Sequence, residues 1–188
     1  MAKEQHIRRA IFTMDNRKLS ILVLSLFAAW LFTIPFEGKV LYVLLDYHQL
    51  STQPFILGSM AAHSAGLILC GFFVKNLRLA KRLMLISLAF CIAASTVFFF
   101  APSFWWQVAL FSSSFLAGCC VAAWGYFLKS GTPKNERYKT IADMLAFSYI
   151  LLLLVVKAAL SISAHTGLIL TILPLCIALL LALRFPEK

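Results

Sequence analysis

Six long apolar segments constrain this chain's fold more than any other sequence feature. They lie at about residues 19–45, 54–74, 83–100, 106–128, 141–162 and 167–183. About 20 apolar residues in a helix cross the ~30 Å hydrocarbon core of a bilayer. The segments do not alternate apolar and polar residues, as the ~10-residue strands of a membrane barrel would. The sequence therefore predicts an all-α membrane protein, a bundle of six transmembrane helices.

The composition agrees with this fold class, since 62% of the residues are hydrophobic and only 13% are charged. A soluble domain of this size needs more charge to cover its surface. We expect one transmembrane domain over residues 1–188, with the lipid bilayer as its partner. The first segment is overlong and contains Pro35 and Gly38, which predicts a bend or a strong tilt.

The basic residues give the predicted bundle an orientation. With six helices, every Lys and Arg except Lys39 and Lys157 falls on one side, and the loops near 46–53, 101–105 and 163–166 hold none. Cytoplasmic loops are the ones enriched in Lys and Arg, so both termini are predicted to be cytoplasmic. The net charge of +10 thus indicates membrane orientation and not nucleic acid binding. The expected location is a cell membrane.

Nothing in the sequence predicts an enzyme, a cofactor or a metal site. The chain has no Walker lysine motif, GxSxG elbow, HExxH motif or pair of carboxylates on one helix face. Its five cysteines include no CxxC pair, and its four histidines are scattered. We expect the cysteines to be small packing residues.

Two predicted helices carry small residues at four-residue spacing. These residues are Gly58, Ala62 and Gly66 in the second segment and Ser114, Gly118 and Ala122 in the fourth. Such faces let two helix backbones approach closely. They predict tight packing inside one bundle, with a sliding or dimerising interface as the alternative.

Ionisable side chains inside apolar segments are candidates for a site, because charge is costly in a membrane. Such residues are Glu37 and Lys39 in the outer half of the first segment and Lys157 in the outer part of the fifth, with Glu37 and Lys157 at similar depths. The alternative to a site is that both lysines extend to the outer surface and Glu37 faces water. His63 is either a proton-linked site or a packing histidine. Trp30 either lines a cavity or faces lipid.

The link between the second and third segments carries a basic motif. Its residues are Gly71, Lys75, Arg78, Lys81 and Arg82. Together with the stretch QLSTQPFILG at 49–58, it resembles the major facilitator superfamily of transporters, which has Gly-x-x-x-Asp-Arg-x-Gly-Arg-Arg in this loop. Gly71 fits the first position. Lys75 replaces the Asp that family members use as a conformational latch, and Arg78 replaces the second Gly.

The resemblance implies one half of a twelve-helix fold that moves small solutes by alternating access. Because the first and fifth helices are neighbours in that fold, it also implies that Glu37 pairs with Lys157 near a central cavity. A six-helix half would need a homodimer, a second half, or a longer chain of which it is a fragment. Two other interpretations stay open. The bundle also resembles the membrane domain of some LuxR-type regulators, which would make it a ligand-binding sensor without transport. It also has the helix count of the substrate-binding subunits of energy-coupling transporters.

Overall fold

The computed structural model describes residues 15–36 and 38–186, and every regular element in these ranges is a helix. Six helices in the described residues are long and apolar enough to span a membrane. They are α1 (Asn16–Tyr47), α2 (Gln53–Phe73), α3 (Leu77–Phe99), α4 (Phe104–Gly131), α5 (Lys134–Ser161) and α6 (Ala164–Ala182). The predicted helical class and the count of six helices are confirmed.

Three of these helices change their winding along their length. In α1, a regular helix over Asn16–Leu31 is followed by a π-helical turn over Phe32–Phe36 and a second regular helix over Lys39–Tyr47. In α3 the last turn, Val97–Phe99, is a 3₁₀ turn. In α5 the first turn, Lys134–Glu136, is also 3₁₀.

The link between α2 and α3 is shorter than the sequence predicts. α3 begins at Leu77, not near residue 83, because Asn76 caps it: its Oδ1 accepts the main-chain N–H of Leu79 at 2.7 Å. Such a cap satisfies one of the unpaired N–H groups at a helix start. As a consequence, the motif residues Arg78, Lys81 and Arg82 lie in the first turns of α3 and not in a loop.

α1 is the central helix of the bundle. Every residue from 19 to 31 is buried except Leu22. α1 packs against α5 and α6 along much of its length and more briefly against α4, while its π-helical turn contacts α2. A helix enclosed by its neighbours on most sides can carry residues that lipid would not tolerate, so α1 is a natural place for a site.

The first three helices, α1 to α3, make contacts similar to those of the last three, α4 to α6. α1 packs on α5 and α6, and in the corresponding way α4 packs on α2 and α3. When α1, α2 and α3 are exchanged with α4, α5 and α6, the α1–α4 contact and the α3–α6 contact each map onto themselves. The two groups of three helices therefore make matching contacts with two exceptions. The α5–α6 contact has no α2–α3 counterpart of similar extent, and the contact of α2 with the π-helical turn of α1 has no α4–α5 counterpart of similar extent.

α2 and α4 form the most extensive helix pair, and glycines bring their backbones together. A Cβ atom at Gly66 would overlap the carbonyl oxygen of Phe115 on α4. A Cβ atom at Gly118 would overlap the main chain of α2 at His63 and Leu67. The small-residue faces of the two helices thus meet inside one bundle.

The other members of these faces take part less closely. Gly58 lies against the ring of Phe111, and Ser114 is fully buried between the helices. Ala62 and Ala122 are only half-buried. The tight contact is therefore centred on Gly66 and Gly118, in the middle of both helices.

Candidate functional site

The break in α1 is the main irregularity of the bundle. Pro35 lies inside the π-helical turn, and Gly38 adopts a left-handed conformation with φ of 58°. The N–H of Gly38 donates to the carbonyl of Phe32 at 3.0 Å, which closes the wide turn. Proline has no N–H to donate, and a π-turn is one of the ways in which a helix absorbs such a defect. The irregular backbone lies at Pro35 and Gly38, the two residues from which the sequence predicts a bend or a strong tilt.

The break lies inside the membrane-spanning length of α1. The regular helix before it has 16 residues and the one after it has nine, or roughly 24 Å and 14 Å at ~1.5 Å per residue. Irregular backbone at membrane depth is tolerated only where protein buries it or where it lines a cavity. In secondary transporters, discontinuous helices of this kind form the substrate and ion sites.

One face of α2 covers the break. The Ser59 hydroxyl donates to the carbonyl of Pro35 at 2.9 Å, which satisfies a carbonyl group near the interruption. One turn further along α2, the His63 ring packs edge-on against Phe36, with 4.7 Å between ring centroids. Because residues four apart share a helix face, Ser59 and His63 contact the break together.

His63 lies at the middle of α2, which is long and apolar enough to span a membrane. It is equidistant from Gln53 and Phe73, the two ends of α2, about 15 Å from each. It is 7% exposed, and among the described residues it is the one buried His, Lys, Arg, Asp or Glu. An ionisable group at this depth is a functional candidate, because its charged form is costly there.

The surroundings of His63 contain unpaired polar atoms. Its ring lies beside the main chain of Ser114 on α4. Neither His63 Nδ1 nor Ser114 Oγ has a hydrogen-bond partner among the described residues, although both atoms are buried. Buried polar atoms are nearly always paired. The imidazole and the hydroxyl therefore each keep hydrogen-bonding capacity that the described residues do not use.

The two lysines predicted for the site are exposed. Lys39 is the first residue of the second part of α1, and Lys157 lies four residues before the end of α5. No acidic group of the described residues lies within ion-pair distance of either one. Both positions suit side chains that extend to the membrane surface. Glu37 lies outside the described residues, so its pairing with Lys157 stays a prediction.

Trp30 packs in the core of the bundle and does not face lipid. It is fully buried, and its indole N–H donates to the Ser95 hydroxyl of α3 at 2.8 Å. Its ring stacks on Phe27, with 5.9 Å between centroids. A tryptophan held in this way links α1 to α3.

The basic motif is divided between two helices and their link. Gly71 lies near the end of α2, where a Cβ atom would meet open space. Lys75 is exposed in the link, and its carbonyl accepts the Tyr126 hydroxyl of α4 at 2.9 Å. That hydrogen bond ties the link to α4.

A charged cluster at the start of α1 was not predicted. Arg17 contacts three side chains of α5. They are Asp143 at 3.1 Å, Glu136 at 3.4 Å and, as the acceptor of an Nε hydrogen bond, Thr140 at 2.9 Å. In the sequence Arg17 is one of several basic residues that precede the first apolar segment. The sequence feature that could have indicated this cluster is the spacing of its three partners, which places them on one face of a helix.

Comparisons with known proteins neither extend nor contradict this picture. No protein-family model matches the chain, and neither a search of curated proteins nor one of solved structures found a match. Within the described residues, no three His, Cys, Asp or Glu side chains lie together as metal ligands would. The site at the α1 break is therefore argued from its own geometry.

Proposed function

We propose that this protein is a multi-pass membrane transporter that moves a small solute by alternating access, with its site at the α1 break. One observation carries the proposal. A discontinuous helix, a buried imidazole with an unpaired nitrogen and a buried unpaired hydroxyl meet near the middle of the membrane-spanning region. Transporters place their substrate and coupling-ion sites at this depth, beside broken helices.

The helix contacts support a facilitator-like bundle. α1–α3 and α4–α6 make matching contacts, as expected of a bundle built from two repeats of three helices. The basic residues at one end support an orientation with both termini in the cytoplasm of a bacterial cell. Six helices are half of a facilitator fold, so we propose that the working unit is a homodimer or a pair with a second six-helix half.

His63 has the central role in this proposal. Imidazole is the side chain whose unperturbed charge change falls closest to physiological pH. A proton taken up at mid-membrane depth would link solute movement to a proton gradient. Ser59 and Ser114 would supply hydrogen bonds to the solute, and Phe36 would shield it from lipid.

The test is uptake by the purified protein in proteoliposomes with an imposed proton gradient. The probes are radiolabelled amino acids, monosaccharides and small organic acids, and the oligomeric state is measured on the same preparation. We expect accumulation of one probe class, and loss of proton-driven accumulation in His63→Gln, which keeps hydrogen-bonding groups but cannot titrate. Ser64→Ala is the matched control, because Ser64 is exposed and its hydroxyl donates to the carbonyl of Met60 within α2.

The outcomes separate transport from its alternatives. A strictly monomeric protein that moves no probe would refute the proposal. Unchanged proton-driven uptake in a folded His63→Gln protein would remove His63 from the site while leaving transport standing.

A second candidate is a ligand-binding membrane sensor without transport. Lys75 stands where the resembling family has its acidic latch, and the Tyr126 hydrogen bond fixes this link to α4. A bundle that does not cycle between two states has no need of the latch. Saturable binding of a probe by protein that shows no uptake in the same vesicles would favour this function.

A further inference from the structure

The α2–α3 link and the start of α3 concentrate positive charge without acidic partners. Residues 74–82 contain four basic residues and no acidic one. Three of the four, which we call the basic patch, are exposed: Lys75, Arg78 and Arg82. The acidic side chains in the described part of the chain form no ion pair with any of them. The charges of the basic patch are therefore available to an anionic ligand.

The positive charge near the α4–α5 link is used differently. Glu136 and Asp143, at the start of α5, pair with Arg17 at 3.4 and 3.1 Å. Arg137 donates to the carbonyl of Lys129 near the end of α4, at 2.6 Å. An unpaired group of basic side chains is therefore a feature of the α2–α3 link and not of every link at this end of the bundle.

Hydrogen bonds fix the backbone beneath the basic patch. Asn76 caps the start of α3, and Tyr126 of α4 donates to the carbonyl of Lys75 at 2.9 Å. Arg78 and Arg82 are four residues apart, so they share one face of α3. Guanidinium groups bind phosphate through paired N–H donors. The helix dipole does not explain these arginines, because it favours cations at the opposite end of a helix.

The basic patch lies at the depth of lipid headgroups. α3 has 23 residues, or roughly 34 Å at ~1.5 Å per residue, slightly more than the ~30 Å hydrocarbon core. The first turn of α3, with Arg78, therefore lies near the level of the phosphates. The long side chain of Arg82 can extend to the same level from the next turn.

Exposed aromatic rings adjoin the basic patch. Phe72 and Phe73, the last two residues of α2, are 74% and 67% exposed. Arg78 follows Phe73 by five residues, so their backbones are at most roughly 18 Å apart. One bilayer leaflet with its headgroups is about 20 Å thick. A single phospholipid can therefore contact the rings and the arginines together.

α2 and α3 make little contact with each other beyond their link. Only residues 74–76 join them, yet each packs far more extensively on α4 than on the other. The surface between them is therefore not filled by one helix packing on the other, and acyl chains can reach it in a bilayer.

We propose that the basic patch binds an anionic phospholipid, with Arg78 and Arg82 on its phosphate and Phe72 and Phe73 against its acyl chains. Basic side chains near a membrane surface attract anionic lipids. A free phosphate ester would use the same guanidinium groups but would leave both exposed rings without a partner, which favours the lipid. The site lies at one end of the bundle and does not depend on transport at the α1 break.

The first test measures lipid binding to the purified full-length protein in detergent by native mass spectrometry. The lipids are dioleoylphosphatidylglycerol and dioleoylphosphatidylcholine, which have the same chains and differ in net charge. We expect phosphatidylglycerol to bind at least roughly tenfold more tightly. A detergent micelle has no inner and outer side, so the effect of Lys and Arg on membrane orientation does not contribute. Equal affinities for the two lipids would overturn the proposal.

Two double variants that remove the same charge separate a site from general attraction. Arg78→Gln with Arg82→Gln should lower the affinity for phosphatidylglycerol roughly 30-fold, as expected for two basic groups beside one anionic headgroup. Lys134→Gln with Lys139→Gln is the control, since both lysines are exposed near the α4–α5 link. It should change the affinity less than about threefold, because salt screens distant charges. Equal losses in both variants would contradict the proposal.

A charge-preserving variant covers the case in which the glutamine variant does not fold. Arg78→Lys with Arg82→Lys keeps both charges and removes the paired N–H donors of the guanidinium groups. We expect a loss of about three- to tenfold in affinity for phosphatidylglycerol, because charge-assisted hydrogen bonds to phosphate are lost. An unchanged affinity would show that the two arginines do not contact the phosphate.

A soluble competitor distinguishes a lipid from a free phosphate ester. Glycerol phosphate has the phosphate and glycerol of the lipid without its acyl chains, so it cannot contact Phe72 and Phe73. We expect an excess of it to leave phosphatidylglycerol bound. Displacement at concentrations close to the dissociation constant of phosphatidylglycerol would show a site for free phosphate esters and overturn the lipid assignment.

Discussion

Glycine shows how one residue type has different roles at neighbouring positions of the same helix. On α2, a Cβ atom at Gly66 would overlap the main chain of α4, whereas one at Gly71 would meet no atom within 4 Å. On α4 the same contrast holds between Gly118 and Gly125. The spacing of small residues in the sequence indicated that close packing was present, but only the rotation of each helix about its axis decided which glycines form it.

Alanine substitution at these glycines should therefore have opposite effects. Gly66→Ala and Gly118→Ala push a methyl group into backbone that cannot move aside, and we expect a loss of about 1–3 kcal/mol or more. Gly71→Ala and Gly125→Ala add a better helix former in open space, and we expect no loss and a gain of up to about 1 kcal/mol. The midpoint of thermal unfolding in detergent measures the difference. Equal midpoints for Gly66→Ala and Gly71→Ala would show that α2 and α4 do not meet at Gly66.

α1 illustrates what a single element can and cannot reveal from its own sequence. Pro35 and Gly38 predicted a bend or a strong tilt, because neither residue continues a regular helix well. The π-helical turn and its contact with Ser59 were not predictable, since they depend on where α2 lies. The same holds for Trp30, whose partner Ser95 is 65 positions away in the sequence.

The start of α1 is expected to depend on Arg17. Arg17→Gln removes two ion pairs with α5 that are partly exposed to solvent, and we expect a loss of about 1 kcal/mol. Lys18→Gln removes the same charge from an exposed neighbour and should have little effect. Thermal unfolding at low and high salt measures both variants. The difference should shrink at high salt because salt screens exposed charges, and a salt-independent difference would mean that packing, not charge, is responsible.

At the scale of the whole molecule, the distribution of charge predicts an orientation that the helix packing alone does not reveal. The basic residues cluster around the α2–α3 and α4–α5 links, mostly in the adjoining ends of the helices, and the links that follow α1, α3 and α5 carry none. Since the six helices alternate in direction, all basic links lie at one end of the bundle.

Cysteine labelling in intact bacterial cells tests this orientation. Lys134→Cys lies at the basic end and His165→Cys at the other end, and both positions are exposed. We expect a membrane-impermeant maleimide to label His165→Cys in intact cells and Lys134→Cys only after permeabilisation. The parent protein, with its five native cysteines, sets the background. The reverse pattern would invert the orientation, and labelling of both positions in intact cells would contradict a six-helix topology.

The sequence alone determined the helical class, the number of spans and the concentration of charge at one end. These properties depend on the order of residues along each segment, because a bilayer selects length and apolarity one segment at a time. The tertiary structure decided which residues meet. It brought Gly66 to Gly118, Arg17 to Asp143 and His63 to the break in α1. Those contacts depend on the rotation and pairing of helices that are distant in the chain. Hydropathy and residue spacing could therefore name candidate site residues but could not show which of them meet.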